Sequence, residues 1–209
     1  MAREDKPQIF LTLETGESAF DRLAAALAAV FIPSVLLVPP AGQSFDQATT
    51  RQLVELAQSK GAAALLLDEP DLARQLKADG IHLPDGKDLN DRYQAARKTL
   101  GSGRIVGVQV SSRHDAMVLG EAGADYIAFG RLSSAEEARE KQLELIAWWA
   151  ELFEVPCVAL GSSTVDEAVT LARSGADFVE FRIASGISPA NIADEVKSLS
   201  ERLTKTPAE

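Results

Sequence analysis

A single (β/α)8 TIM barrel is the fold this sequence predicts, on three observations: a repeated helix-to-strand joint, its spacing, and the number of strand-like runs. The joint reads LKADGIHL at Leu76–Leu83, EAGADYIAF at Glu121–Phe129 and RSGADFVEF at Arg173–Phe181. The last two copies align without a gap over fourteen positions, AMVLGEAGADYIAF against AVTLARSGADFVEF. In each copy, apolar residues at helical spacing lead past a Gly suited to the position beyond a helix end and into a β-run. Asp79, Asp125 and Asp177 lie 46 and 52 positions apart, room for two strand–helix units each time. A joint recurring at every second unit suggests a closed ring seen at alternate strands.

The elements fill that ring in order. Ile9–Leu13 reads as the first strand and Ala19–Val30 as an apolar-faced helix; Pro33 then breaks the chain before the strand Val35–Val38. Gln47–Lys60 is helical in pattern, and Ala63–Leu67 is a short apolar run of the kind found in buried parallel strands. Gly80–Leu83 follows the first joint, then the helix Leu89–Thr99 and the strand Ile105–Val110. Tyr126–Phe129 follows the second joint, with the helix Glu136–Leu152 and the strand Cys157–Leu160 after it; Phe178–Arg182 follows the third. Strands alternating with helices make parallel sheets through right-handed crossovers. An open doubly wound sheet is the alternative, but its G-x-G-x-x-G is missing after the first strand.

The length of 209 residues and hydrophobic fraction of 46% fit one domain over residues 1–209, with frayed ends at 1–6 and 204–209. The apolar stretch Leu23–Pro40 is interrupted by Pro33 and reads as helix then strand, so no membrane segment is expected. No signal peptide opens the chain, and the lone Cys157 sits inside a strand as a buried thiol, so a cytoplasmic location is expected. A net charge of −10 argues against nucleic-acid or anionic-membrane partners. It also means that an anionic ligand needs a local cationic pocket.

Chemistry in such a barrel belongs at the carboxyl ends of the strands. Asp79, Asp125 and Asp177 precede their strands and fall at the opposite end, where they are expected to accept backbone N–H bonds in tight joints. Small residues after the last two strands, Gly161-Ser162-Ser163 and Ser185-Gly186 with Arg182, are the expected phosphate cradle; an ordinary helix cap is the plain alternative for the first. Asp68, Asp85 and Asp88 carry the chemistry for Mg2+, and acidic loop residues capping helices are the plain alternative there. Aligning the joints on their Asp residues puts His82, Ala128 and Glu180 at one position, pointing into the barrel. Glu180 then needs a partner, His82 or Arg182. Gln109 and Arg131 also fall at inward or upper positions, and Trp148-Trp149 puts one large aromatic on an outer helix face, a pointer to a homodimer.

The run LLLDEPDLARQLKADGIHLPDGKDL resembles the thiamine phosphate synthase signature, in which an Asn-Asp pair ends the third strand and a Gly-Val-His-Leu-Gly-Gln segment with a later Asp forms the fourth. VGVQVSSRHDAMVLGEAGADYIAFG and VPCVALGSSTVDEAVTLARSGADFVEF are similar to later parts of the same family, and the related thiazole tautomerases share these landmarks. The resemblance covers about residues 63–182. It implies a barrel that joins a pyrimidine diphosphate to a thiazole phosphate with release of diphosphate, using Mg2+ held here by Asp68 and Asp88. The departures concern charge. The Gln-x-Arg-x-Lys after the second strand is VLLVPPAG here, and the Thr-x-Thr-Lys after the sixth is replaced by GRLSSAEEAREK. Leu67 stands in place of the Asn, Gln109 in place of a Ser, and Arg182-Ile183 in place of Val-Ser. Each lost donor to a developing anion costs about 3 kcal/mol, roughly a hundredfold in rate. Arg131 and Arg182 are the replacement charges on offer. Three readings follow: a diverged barrel that binds a phosphorylated small molecule, with Mg2+ weak if bound; a non-catalytic ligand-binding or subunit protein; and an active synthase with relocated cations.

Overall fold

The computed structural model of the chain describes residues 6–130, 139–183 and 186–205. Its strands are β1 (Gln8–Glu14), β2 (Ser34–Val38), β3 (Ala63–Leu67), β4 (Gly80–Leu83), β5 (Ile105–Val110), β6 (Tyr126–Phe129), β7 (Cys157–Ala159) and β8 (Phe178–Ile183). Between and after them run α1 (Ala19–Ala29), α2 (Gln47–Ser59), α3 (Pro70–Leu76), α4 (Leu89–Leu100), α5 (Arg113–Glu121), α6 (Arg139–Leu152), α7 (Val165–Ala172) and α8 (Pro189–Thr204). The strands close in chain order, each parallel to its neighbours, with β8 back against β1. This is the expected (β/α)8 barrel. Thr204, expected in a frayed tail, is the last residue of α8. Leu23–Pro40 divides into the end of α1 and β2, and no described helix is long and apolar enough to cross a membrane.

Side-chain alternation splits the core into two shells. Ile81, Leu83, Ile127, Phe129, Val179 and Phe181 face outward and are buried beneath the helices. Phe10, Leu36, Leu65, Tyr126, Ala128 and Val158 fill the barrel interior. The Tyr126 ring crosses that interior over its register partner Gly107, where an added Cβ would fall 1.9 Å from the ring. Gly107 is therefore a requirement of packing rather than of backbone conformation.

The three joints do more than turn the chain. Asp79 accepts the Ala64 N–H at 2.8 Å, Asp125 the Val106 N–H at 2.7 Å and Asp177 the Cys157 N–H at 2.7 Å. The donors lie at the start of the preceding strand rather than inside the joint, so each carboxylate ties an even strand to the odd one before it. Gly123 and Gly175 take positive φ of 91° and 92° two residues before their Asp, as a helix-ending Gly should. The equivalent position in the first joint is not a Gly but Lys77, left-handed at φ 57°.

On the outside, Trp149 is fully buried, donates to Val155 O at 2.8 Å and stacks on Phe153. Trp148 is half-buried against the core, with the Arg113 guanidinium 4.9 Å above its ring. Trp148, the outer of the two, is thus partly packed against its own chain and partly exposed.

Candidate active site at the carboxyl ends of the strands

Two strand ends and one buried side chain build the centre of this face. After β7 the chain continues as Gly161-Ser162-Ser163-Thr164 into α7. Ser162 is 1% exposed; its hydroxyl donates to Glu180 O, and its carbonyl accepts the Arg182 N–H at 3.1 Å. The loop is therefore stitched along β8 rather than left open. Thr164 and Glu167 form a reciprocal capping box on α7, and Glu167 Oε2 accepts the N–H groups of Ser163 and Thr164 at 3.0 and 3.2 Å. Those bonds hold the Glu167 carboxyl below its ordinary range. Ser163 and Thr164 thus serve the helix cap that the sequence offered as the plain alternative.

Glu180 projects from β8 into the barrel and is fully buried. Gly161 N–H donates to its Oε2 at 2.5 Å, and Arg182 donates to its Oε1 at 3.2 Å. Of the two partners expected from sequence, Arg182 is the one used. Thr12, buried on β1, sits near enough to pull on the carboxyl, although its hydroxyl makes no well-formed hydrogen bond. Burial pushes the Glu180 carboxyl above its ordinary range, and Arg182, Gly161 and Thr12 pull the other way.

His82 also points inward and is fully buried, but its partner is Tyr126, whose hydroxyl lies 2.9 Å from Nδ1. Nε2 has no partner at hydrogen-bond distance, with the Gln109 amide beside it. Burial pulls the imidazole down to about 4, with Gln109 offsetting part of the shift. Gln109 is 5% exposed and donates to Gly130 O, which links the interior to the end of β6.

The acidic residues are less concentrated than the sequence suggests. Asp68, at φ 53° after β3, pairs with Arg92 of α4 at 2.8 Å; the same guanidinium donates to Pro84 O. Asp88 precedes α4 without capping it and lines a groove of about 360 Å³ with Asp85, Asp91 and Asp115. Among the described residues no three His, Cys, Asp or Glu side chains come together as a metal cage. Arg131 and Ser185 lie outside the described residues. Gly186 takes φ 100° ahead of α8.

Sequence reasoning missed three residues that shape this face. Arg92 ties the ends of β3 and β4, as above. Arg139 donates to Gly161 O at 2.9 Å and to Gln142 Oε1 at 3.2 Å. Gln142, 5% exposed, donates to the carbonyls of Phe129 and Leu160 at 2.8 and 2.6 Å, joining β6 to the end of β7. The signal available was a Gln on the apolar stripe of α6, three positions after an Arg. Two further cavities, of about 510 and 260 Å³, lie at the amino ends of the strands, around Gln8, Phe31 and Leu203 and around Phe10, Ser34 and Tyr126. Position in the barrel argues against either as the reaction site.

Comparison with known proteins agrees with this geometry. The family model described as thiamine monophosphate synthase matches residues 17–183. Thiamine-phosphate synthase from Rhodospirillum centenum is 44% identical over 128 residues, which span 59% of this chain and 60% of that protein's length. The Erythrobacter litoralis enzyme of the same name is 41% identical over 147 residues, 66% of this chain and 68% of the relative. In fold, the chain is similar to thiamine phosphate pyrophosphorylase from Pyrococcus furiosus, with a TM-score of 0.76 at 20% identity over 97% of this chain and 98% of that one. The tryptophan synthase α-subunit of the same organism gives 0.75 at 14% identity over 94% and 99%, a likeness of fold alone. With the model matching most of its length, the chain belongs to the thiamine monophosphate synthase family.

Proposed function

We propose that this barrel binds a phosphorylated small molecule of the thiamine-biosynthetic type at its carboxyl face, and that it has lost the family's diphosphate chemistry in its ordinary form. The phosphate position is the β7–α7 loop at Gly161, Ser162 and Ser163, with Arg182 on β8 and the backbone at Gly186; Ser185 belongs to the proposed site by sequence alone. The observation that carries the second half is the commitment of three arginines among the described residues. Arg92 is held by Asp68, Arg182 by Glu180, and Arg139 by the Gly161 carbonyl and Gln142. A diphosphate leaving group needs charge poised toward it before the bond breaks. Guanidinium groups already bound to internal acceptors must first be released. One phosphate asks for less of this than two.

Mg2+ fits poorly as a resident ion. Asp68 would have to leave Arg92, and Asp88 faces the Asp85–Asp91–Asp115 groove. We propose Asp68 and Asp88 as a weak site that acquires most of its shell from water and ligand oxygens. The net charge of −10 and the single buried thiol support a cytoplasmic protein without nucleic-acid partners.

A second reading, a working synthase with relocated cations, is favoured by the name that the relatives at 41–44% identity carry. Calorimetry separates the two. A thiazole monophosphate should bind more tightly than a pyrimidine diphosphate, with the affinity weakened at least ~10-fold in an Arg182→Ala variant. Tight, Mg2+-dependent binding of the diphosphate would favour the second reading.

A further inference from the structure

Two carboxylates of this chain already sit on the N–H groups of the β7–α7 loop. Glu167 belongs to the helix that follows and is accounted for as a cap. Glu180 does not. It comes from the barrel wall, is fully buried, and reaches up to the loop from inside. Its two oxygens take separate donors, the Gly161 N–H at 2.5 Å and the Arg182 guanidinium at 3.2 Å. A backbone N–H and an arginine at the mouth of the last two strands are the donor types that bind phosphate in barrels of this architecture. Here both are engaged by a side chain that rises from the barrel wall.

We propose that Glu180 is a built-in competitor for the anion position, so that a phosphate group docks on Gly161 and Arg182 only after the Glu180 carboxylate has released them. The inference rests on the phosphate site proposed above and names what controls it.

The groups around Glu180 make its own protonation the natural release. Arg182 is its ion-pair partner, and Thr12 faces it from β1. Arg139, from α6, holds the carbonyl of Gly161 at 2.9 Å. His82, on β4, is bonded to Tyr126 and stays neutral above about pH 4. Burial displaces the carboxyl upward from its usual 4.5. Once protonated, it is a poor acceptor for Gly161 and no longer offsets the charge of Arg182. Both donors then become available to an incoming anion. By linkage, anion binding should draw a proton onto Glu180.

Inorganic sulfate is the probe, because it remains a dianion while the carboxyl titrates. Sulfate affinity should rise about 10-fold for each pH unit of descent while Glu180 is ionised, and level off once it is protonated. In Glu180→Gln the neutral amide holds the donors weakly. Affinity there should be high and flat across roughly pH 5 to 8. A second measurement needs no variant: the Gly161 amide NMR resonance of the wild-type protein should shift with the same midpoint as the sulfate affinity. Equal affinities and equal pH slopes in the two proteins, or a Gly161 amide that responds to sulfate but not to pH, would overturn the competitor role and leave the phosphate site standing. Sulfate failing to bind either protein at any pH would overturn both.

Discussion

Glu180 and His82 are ionisable groups closed inside the same barrel, and burial drives both toward neutrality from opposite sides. For His82 the folded state resists a proton that the unfolded chain accepts near 6.5. Stability from this group is present above that pH and is lost as pH falls through the folded value of about 4. The full swing is about 3 kcal/mol, and a His82→Gln variant should remove that part of the acid slope in chemical denaturation. Glu180 has the opposite sign. Its folded carboxyl holds a proton more tightly than the unfolded one, so its contribution is full below 4.5 and declines as pH rises through the folded value. Removing the side chain is a different matter from titrating it. Glu180→Ala strands the Gly161 N–H and the Arg182 charge, and should cost about 3 kcal/mol or more in denaturation at neutral pH. An unchanged midpoint would mean that water replaces the carboxylate without loss. That Glu180 points inward was legible because the joint repeats and alternation has a period of two. Its choice of Arg182 over His82 was not, because the phenol that engages His82 comes from another strand.

At the scale of elements, the repeated Asp acts as a clamp between strands. Asp125→Ala leaves the Val106 N–H without its acceptor and should cost about 1–3 kcal/mol. The first joint carries a flaw that the others avoid. Lys77 holds a left-handed conformation where Gly123 and Gly175 stand in the later copies. Lys77→Gly should therefore stabilise the protein by about 0.5–1 kcal/mol, since relief of the steric cost exceeds the extra chain entropy of glycine. A thermal midpoint lowered by that change would show that the lysine side chain matters more than its backbone. Strand positions were legible to within a residue or two because apolar runs, Pro33 and the joints punctuate the chain. The contacts of Arg92, Arg139 and Gln142 were not legible. Each is a long side chain on a helix reaching a strand end 8 to 22 residues away in sequence, and no local pattern encodes that reach.

For the whole molecule, family and charge pull in different directions. The match over residues 17–183 puts the chain in the thiamine monophosphate synthase family, on a closed barrel. We propose that its net charge of −10, with the described arginines Arg92, Arg139 and Arg182 tied to internal carboxylates and carbonyls, suits a diphosphate leaving group poorly. The most direct test of that conclusion is the rate of diphosphate release from a pyrimidine diphosphate and a thiazole phosphate in the presence of Mg2+. With donors missing from two loops at about a hundredfold each, release should fall about 10⁴-fold below that of the Rhodospirillum centenum relative assayed alongside. Release at a rate comparable to that enzyme would contradict the account and establish the chain as a working synthase.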